Sequence, residues 1–206
     1  RGVAVTLVEM AADCGAYGAG ISIGGATLRA LKTLGVLDRY FDVGFGCEAT
    51  EIRSADDTPI QMIPAPRLAG ADVPGNGAVM RPALARILHL AAVAAGADVR
   101  LLTTVETVED RGHGVLCRLS DGSEGEWDLV IGADGLLSAM RGRILPDAPR
   151  PAYNGQSVWR AVLPKLPQVN HTMLWVGATT KVGLNPVSAD EMYVFVNENR
   201  PTKDRL

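Results

Sequence analysis

The stretch Asp128–Arg141, DLVIGADGLLSAMR, runs from an apolar segment through a Gly-Ala-Asp-Gly corner into the start of a helix. A strand that feeds a helix through a tight corner is the building unit of a parallel α/β sheet. Ligands of such sheets bind beyond the carboxyl ends of the strands. Asp134 stands at that end, and Gly135 permits the turn. The Asp134 carboxylate either accepts hydrogen bonds from sugar hydroxyls or caps the helix by taking its free N–H groups. Arg141, one to two turns further on, is placed to meet phosphate charge.

A second stretch, VAVTLVE (Val3–Glu9), reads as a buried parallel strand ending in an acid. In a Rossmann-type sheet an acid at this point holds a ribose hydroxyl; elsewhere it is simply a strand-end charge. The glycine fingerprint that accompanies such an acid lies about 20 residues upstream, and only eight residues precede Glu9 here. Cys14–Gly25 holds five glycines and is expected to be a loop. Residues 26–38 read as a helix with Gly35 at its C-cap. Residues 47–63 read as a hairpin turning near Ala55-Asp56-Asp57, and 65–77 as an exposed loop. Residues 80–96 read as a helix with Pro82 at its first position and an apolar stripe of Leu84, Ile87, Leu88, Ala91 and Ala95. Arg81, after a glycine-rich loop, is either a partner for a phosphate or ring oxygen or an ordinary exposed arginine.

From Asp98 the pattern predicts a short strand, then three more, the last running through 128–132 into the Asp134 corner. A Pro-rich break spans Pro146–Pro151. Beyond it, GQSVWRAVL, HTMLWVGAT, KVGLNPV and EMYVFVNE alternate apolar and polar residues, the mark of a half-exposed antiparallel sheet. The 46–63 hairpin is expected to join it. The chain therefore reads as α/β, a Rossmann-like domain with an antiparallel sheet domain, incomplete at both ends. Trp159, Arg160, Trp175, Tyr193 and Phe195 are read as packing the second sheet, with inward members placed to line a pocket.

A net charge of −3 with scattered basic residues gives no electrostatic footprint for nucleic acid or anionic lipid. The longest apolar run, around Ile87–Ala97, is far short of the roughly 20 residues of a membrane span. Cys14, Cys47 and Cys117 match no metal or disulfide spacing, and a reducing, cytoplasmic setting fits them. His89, His113 and His171 have no partner at ligand spacing, so no metal site is expected. The chain begins inside a strand and ends just after one, which reads as a fragment.

In order and spacing, VAVTLVE, GAGISIGGATLRALKTLGVLD, MRPALARILHLAAVAAGADVRLLTTV and DLVIGADGLLSAMR resemble the FAD-dependent aromatic-hydroxylase family. These are the single-component flavoprotein monooxygenases that include p-hydroxybenzoate, salicylate and ubiquinone-biosynthesis hydroxylases. YNGQSVWRAVLP and EMYVFVNE match more loosely. The resemblance implies that Glu9 binds the adenosine ribose of FAD and that Arg81 lies near the ribityl or pyrophosphate portion. It implies that Asp134 and Gly135 serve both FAD and NAD(P)H, with Arg141 in support. Residues 1–45 and 78–150 would form the FAD/NAD(P)H-binding domain, and 46–77 and 151–206 the substrate-domain sheet. NADH or NADPH would reduce FAD, and O2 would give a flavin C4a-hydroperoxide that hydroxylates an aromatic or similar small substrate. A halogenase- or reductase-type flavoprotein and a truncated non-catalytic domain are the alternatives. The family's amino-terminal glycine fingerprint and later Gly-Asp segment are missing from this sequence, Met10 stands where many members carry arginine, and no catalytic side chain is assigned.

Overall fold

The computed structural model describes residues 2–15 and 18–202. In chain order its elements are β1 (Thr6–Val8), β2 (Gly20–Gly24), α1 (Gly25–Thr33), α2 (Leu37–Phe41), β3 (Phe45–Cys47), β4 (Ala49–Ser54) and β5 (Pro59–Pro64). There follow β6 (Asn76–Met80), α3 (Arg81–Ala94), β7 (Asp98–Arg100), β8 (Val105–Asp110), β9 (Val115–Leu119), β10 (Glu124–Trp127) and α4 (Ala139–Ile144). The last four are β11 (Gln156–Pro164), β12 (Thr172–Val176), β13 (Thr180–Pro186) and β14 (Glu191–Asn199). They fall into two compact units, Arg1–Cys14 with Ala92–Asn154, and Gly15–Ala91 with Gly155–Leu206.

In the first unit β1 pairs in parallel with β7, Thr6 opposite Asp98 and Val8 opposite Arg100. β8, β9 and β10 form an antiparallel meander whose buried side carries Cys117 and Leu119. Two expectations are corrected here. The strand predicted through 128–132 stops at Trp127, leaving Leu129 and Ile131 72% and 77% exposed. The strand predicted over Val3–Glu9 shortens to β1 and is not buried either: Leu7 within it is 38% exposed, and Val3 and Val5 before it are 76% and 48% exposed. The reason is common to both: an extended segment becomes a buried strand only where neighbours take up its ladder groups and cover its faces. Among the described residues 128–132 has no ladder partner.

The second unit holds a six-stranded sheet in the order β11-β14-β13-β12-β4-β5. Its pairs are antiparallel except β4 with β12, which run parallel. The hairpin β4–β5 thus joins the later strands, as its alternation suggested. A three-stranded antiparallel sheet, β2-β6-β3, accompanies it. β2 and β6 correct the sequence reading, which had loops over 14–25 and 65–77. β2 hides Ile23 in the core while its glycines dilute the apolar signal. Ala16 and Tyr17 of that expected loop lie outside the described residues. The helix expected over 26–38 breaks near Gly35 into α1 and α2. Leu28 and Leu31 of α1 pack with Tyr40 of α2, Val79 of β6 and Ile87 of α3 as the main core. A smaller cluster joins Ala78, Val187 and Tyr193, with Met80 and Phe195 against it.

A polar chain crosses the parallel β4–β12 pair. His171 Nε2 lies 3.1 Å from Glu51 Oε2, and the other Glu51 oxygen pairs with Arg53. Arg53 Nε reaches Asp57 Oδ1 at 2.6 Å, and Trp175 Nε1 donates to the same oxygen at 2.7 Å. The hydrogen bond from His171, followed by that from Arg53, holds the Glu51 carboxyl below its usual range. A carboxyl depressed in the folded state stabilises the fold above its unfolded pKa, and that contribution fades as pH falls through the folded value. Glu51→Gln is therefore expected to flatten the loss of stability on acidification. Urea denaturation of both proteins from pH 7 to pH 3 checks this, and parallel curves would contradict it.

Candidate functional site

The corner after residue 132 is built around Asp134. One carboxylate oxygen accepts from the Ser138 hydroxyl and the other from the Met140 N–H at 3.0 Å. Ser138 is the N-cap of α4 and accepts the Arg141 N–H at 2.8 Å. These hydrogen bonds, that from Met140 first, hold the Asp134 carboxyl below the usual carboxylate range. Gly135 has φ +81°, a backbone region that side chains avoid. The Arg141 guanidinium turns back and donates to the Leu136 carbonyl at 2.8 Å. Asp134, Gly135 and Arg141 thus meet in one corner, and Asp134 does perform the capping that the sequence allowed. Each carboxylate oxygen has two lone pairs, so the corner retains acceptor capacity for a ligand hydroxyl.

Glu9 directly follows β1. Its N–H donates to the Arg100 carbonyl at 2.9 Å, and its carbonyl accepts from Thr103 N–H at 3.0 Å. Its side chain is half-buried, and Oε1 takes the Ala11 N–H at 2.8 Å. The backbone is thereby pinned at the carboxyl end of a parallel strand, and Oε2 takes no hydrogen bond among the described residues.

Arg81 belongs to the other unit. β6 delivers it to the first turn of α3, and its N–H donates to the Ala19 carbonyl at 3.3 Å. Its side chain lines a cleft of about 250 Å³ together with the β2 backbone from Gly20 to Ser22, Arg160 of β11, and Tyr193, Phe195 and Asn197 of β14. Among the described residues neither the Arg81 nor the Arg160 guanidinium has an ion-pair or hydrogen-bond partner. The cleft therefore combines free positive charge with an aromatic wall and no acid.

The sequence reading gave Arg160, Tyr193 and Phe195 as packing the second sheet, with inward members placed to line a pocket, and assigned none of them as a site residue. Tyr193 does pack, at 7% exposure. The missed signal was the alternation itself: Val158, Arg160 and Val162 share one face, and so do Tyr193, Phe195 and Asn197. Arg160 is exposed on that face, beside the side chains of both strands. The β2 wall carries no strand signal in the sequence, because its glycines dilute the apolar alternation.

The chain matches the family model described as an FAD binding domain over residues 1–205. It is 31% identical over 206 residues to an aurachin C monooxygenase/isomerase from Stigmatella aurantiaca, covering 97% of this chain and 52% of the relative. It is 33% identical over 205 residues to a 3-amino-4-hydroxybenzoate 2-monooxygenase from Streptomyces cremeus, covering 95% and 50%. The chain thus spans about half the length of these curated relatives. Among solved structures, Klebsiella pneumoniae HpxO complexed with FAD and uric acid superposes with a TM-score of 0.79 at 21% identity, covering 98% of this chain and 58% of that one. Pseudomonas aeruginosa PqsL in complex with 2-aminobenzoylacetate gives 0.78 at 23% identity, covering 95% and 54%. At that identity these structures establish a shared fold, the α/β architecture with an antiparallel sheet that the sequence suggested.

The corner geometry carries its own prediction. Asp134→Ala removes the acceptor of the Met140 N–H, so exchange of that amide should quicken roughly two- to thirtyfold, the span set by losing a helix cap. Hydrogen exchange read at Met140 checks this, and unchanged protection would mean that the cap does not hold the corner.

Proposed function

This chain belongs to the FAD binding domain family, and from that premise we propose that it is part of an FAD-dependent monooxygenase. That enzyme uses NADH or NADPH and O2 to hydroxylate an aromatic or similar small organic substrate. What carries the reading is the match along nearly the whole chain to relatives named as monooxygenases. The same names favour it over a halogenase or reductase.

The residues present suit FAD. Arg81 offers an anionic pyrophosphate a guanidinium that has no partner among the described residues, and Glu9 keeps a carboxylate oxygen that takes no hydrogen bond among them, for a ribose hydroxyl. In this reading Glu9 holds the adenosine ribose, and Asp134 and Gly135 face the dinucleotide, with Arg141 bracing their corner through the Leu136 carbonyl. Residues 1–45 and 78–150 serve FAD and NAD(P)H, and 46–77 and 151–206 supply the sheet that receives substrate. When bound, FAD supplies the redox chemistry: it accepts hydride from NAD(P)H and activates O2. The chain's own part is to bind, to orient and to keep water from the reacting faces. The cleft beside Arg81, walled by Tyr193 and Phe195, suits a flat ring. Three free thiols support a reducing, cytoplasmic setting. No helix of the described residues is long and apolar enough to cross a membrane.

The test uses the full-length protein with FAD. NADH or NADPH should be consumed in an O2-dependent way that an aromatic substrate accelerates, with one oxygen atom gained by the product. Consumption that is indifferent to O2 and to every aromatic tried would overturn the reading. Within it, Glu9→Ala should weaken FAD binding by about 1.5–3 kcal/mol, the worth of a charged hydrogen bond. An FAD titration identical to that of the unaltered protein would remove Glu9 from the site.

A further inference from the structure

One face of the six-stranded sheet meets the small sheet, and there Asn185 and Tyr193 are 1% and 7% exposed. The opposite face carries a cross-strand row that runs from β11 to β5 through Trp159, Val196, Val182, Trp175, Arg53 and Pro59. The next row holds Ala161, Val194, Leu184 and Met173, followed by Glu51 and Met62. Trp159 and Met62 are 47% and 51% exposed, and the valines and Leu184 of the inner strands are only half-buried. Beyond these rows the face closes at Met192 and Pro186, which are buried. Arg53 and Glu51 are the charged members of the two rows, and they pair with each other. Both indoles are answered within the chain: Trp159 Nε1 donates to Glu198 at 3.3 Å and Trp175 Nε1 to Asp57 at 2.7 Å. Covering the two rows therefore strands neither of these charges and neither indole donor.

We propose that this face docks a second copy of the chain, sheet against sheet, about a two-fold axis parallel to the strands. Such an axis lays each row on the same row of the other copy in reverse order. Trp175 then falls on Val182 of the other copy, Trp159 on Pro59 and Met62 on Ala161, so large side chains meet small ones. The apolar rows, with their two charges already neutralised, suit a partner of the same character and hold nothing for an anionic membrane or a nucleic acid. Growth of the sheet edge to edge through β5 is blocked instead, because Pro59 and Pro64 offer no N–H and a bulge interrupts the β4–β5 pairing. Six strands about 4.8 Å apart, taken over five residues of about 3.3 Å each, span roughly 29 by 17 Å. Two copies together cover about 950 Å², just below the size of a standard interface, so the association is weak and depends on concentration. The inference is independent of the flavoenzyme reading.

The experiment is sedimentation velocity of the full-length protein, with FAD, from about 1 to 100 μM, a range that brackets the micromolar affinity expected at this interface size. The unaltered protein should pass from monomer to dimer as concentration rises. Trp159→Glu and Val182→Glu each place an unanswered charge in the covered rows, and each should weaken association at least about tenfold. Trp159 is nearly half exposed, so its variant leaves folding intact. Should Val182→Glu fail to fold, Trp159→Glu decides alone. A protein that stays monomeric over the whole range overturns the proposal, including the case in which the rest of the full-length chain covers this face. A dimer whose dissociation constant is the same in Trp159→Glu overturns it too, because the contact then lies elsewhere. The visible spectrum of the same samples reports on the flavin separately: a colourless dimer breaks the flavoenzyme reading alone, whereas a flavin-bearing monomer breaks only the docking surface.

Discussion

There is no room for a side chain at position 20. A Cβ there would lie 2.7 Å from Val187 and 2.9 Å from Tyr193. That close approach brings the edge of the small sheet, β2-β6-β3, onto the face of the large one. It buries Ala78, Val187 and Tyr193 as a second core. The cleft exists because of it. β2 forms one wall, β11 and β14 the other, and Arg81 enters from the helix that β6 launches. Even one methyl group at residue 20 would push Tyr193 or Val187 aside, and interiors this tightly packed resist added volume. The site of the second unit therefore depends on a backbone contact before it depends on any charged side chain.

The charges follow from the same geometry. Most arginines near carboxylates in this chain are answered: Arg53 by Glu51 and Asp57, Arg67 by Glu48, Arg100 by Asp98. Arg81 and Arg160 are not answered among the described residues, and both line the one cleft. The first unit treats its acids differently. Asp134 spends both oxygens on its own helix, while Glu9 spends one. Asp134 is thereby held in place by the hydroxyl and backbone of its own helix.

How much of this was legible before the structure depended on whether the signal was local. The four alternating segments after Pro151 carried a period of two and became β11 to β14. The hairpin over 46–63 was equally plain, although its parallel pairing with β12 was not, because that pairing is set by partners some 120 residues away. β2 went unread since its glycines look like a loop until their tight packing is seen. The apolar run at 128–132 failed in the opposite direction: its composition suits a strand, but no described neighbour supplies a ladder. Among the site residues, Asp134, Gly135 and Arg141 were visible as a motif and do form one corner. Glu9 was visible through its place after a strand. Arg160 and Phe195 were visible as residues but not as a site, because the pattern that puts them on one face also describes ordinary packing.

A bound flavin is what the proposed function requires before anything else. The most direct measurement is the visible absorbance spectrum of the purified full-length protein, with its intact mass determined on the same sample. The purified protein should show the two-banded absorbance of a bound flavin, released as FAD on denaturation. A colourless protein of full mass that takes up no added FAD would contradict it.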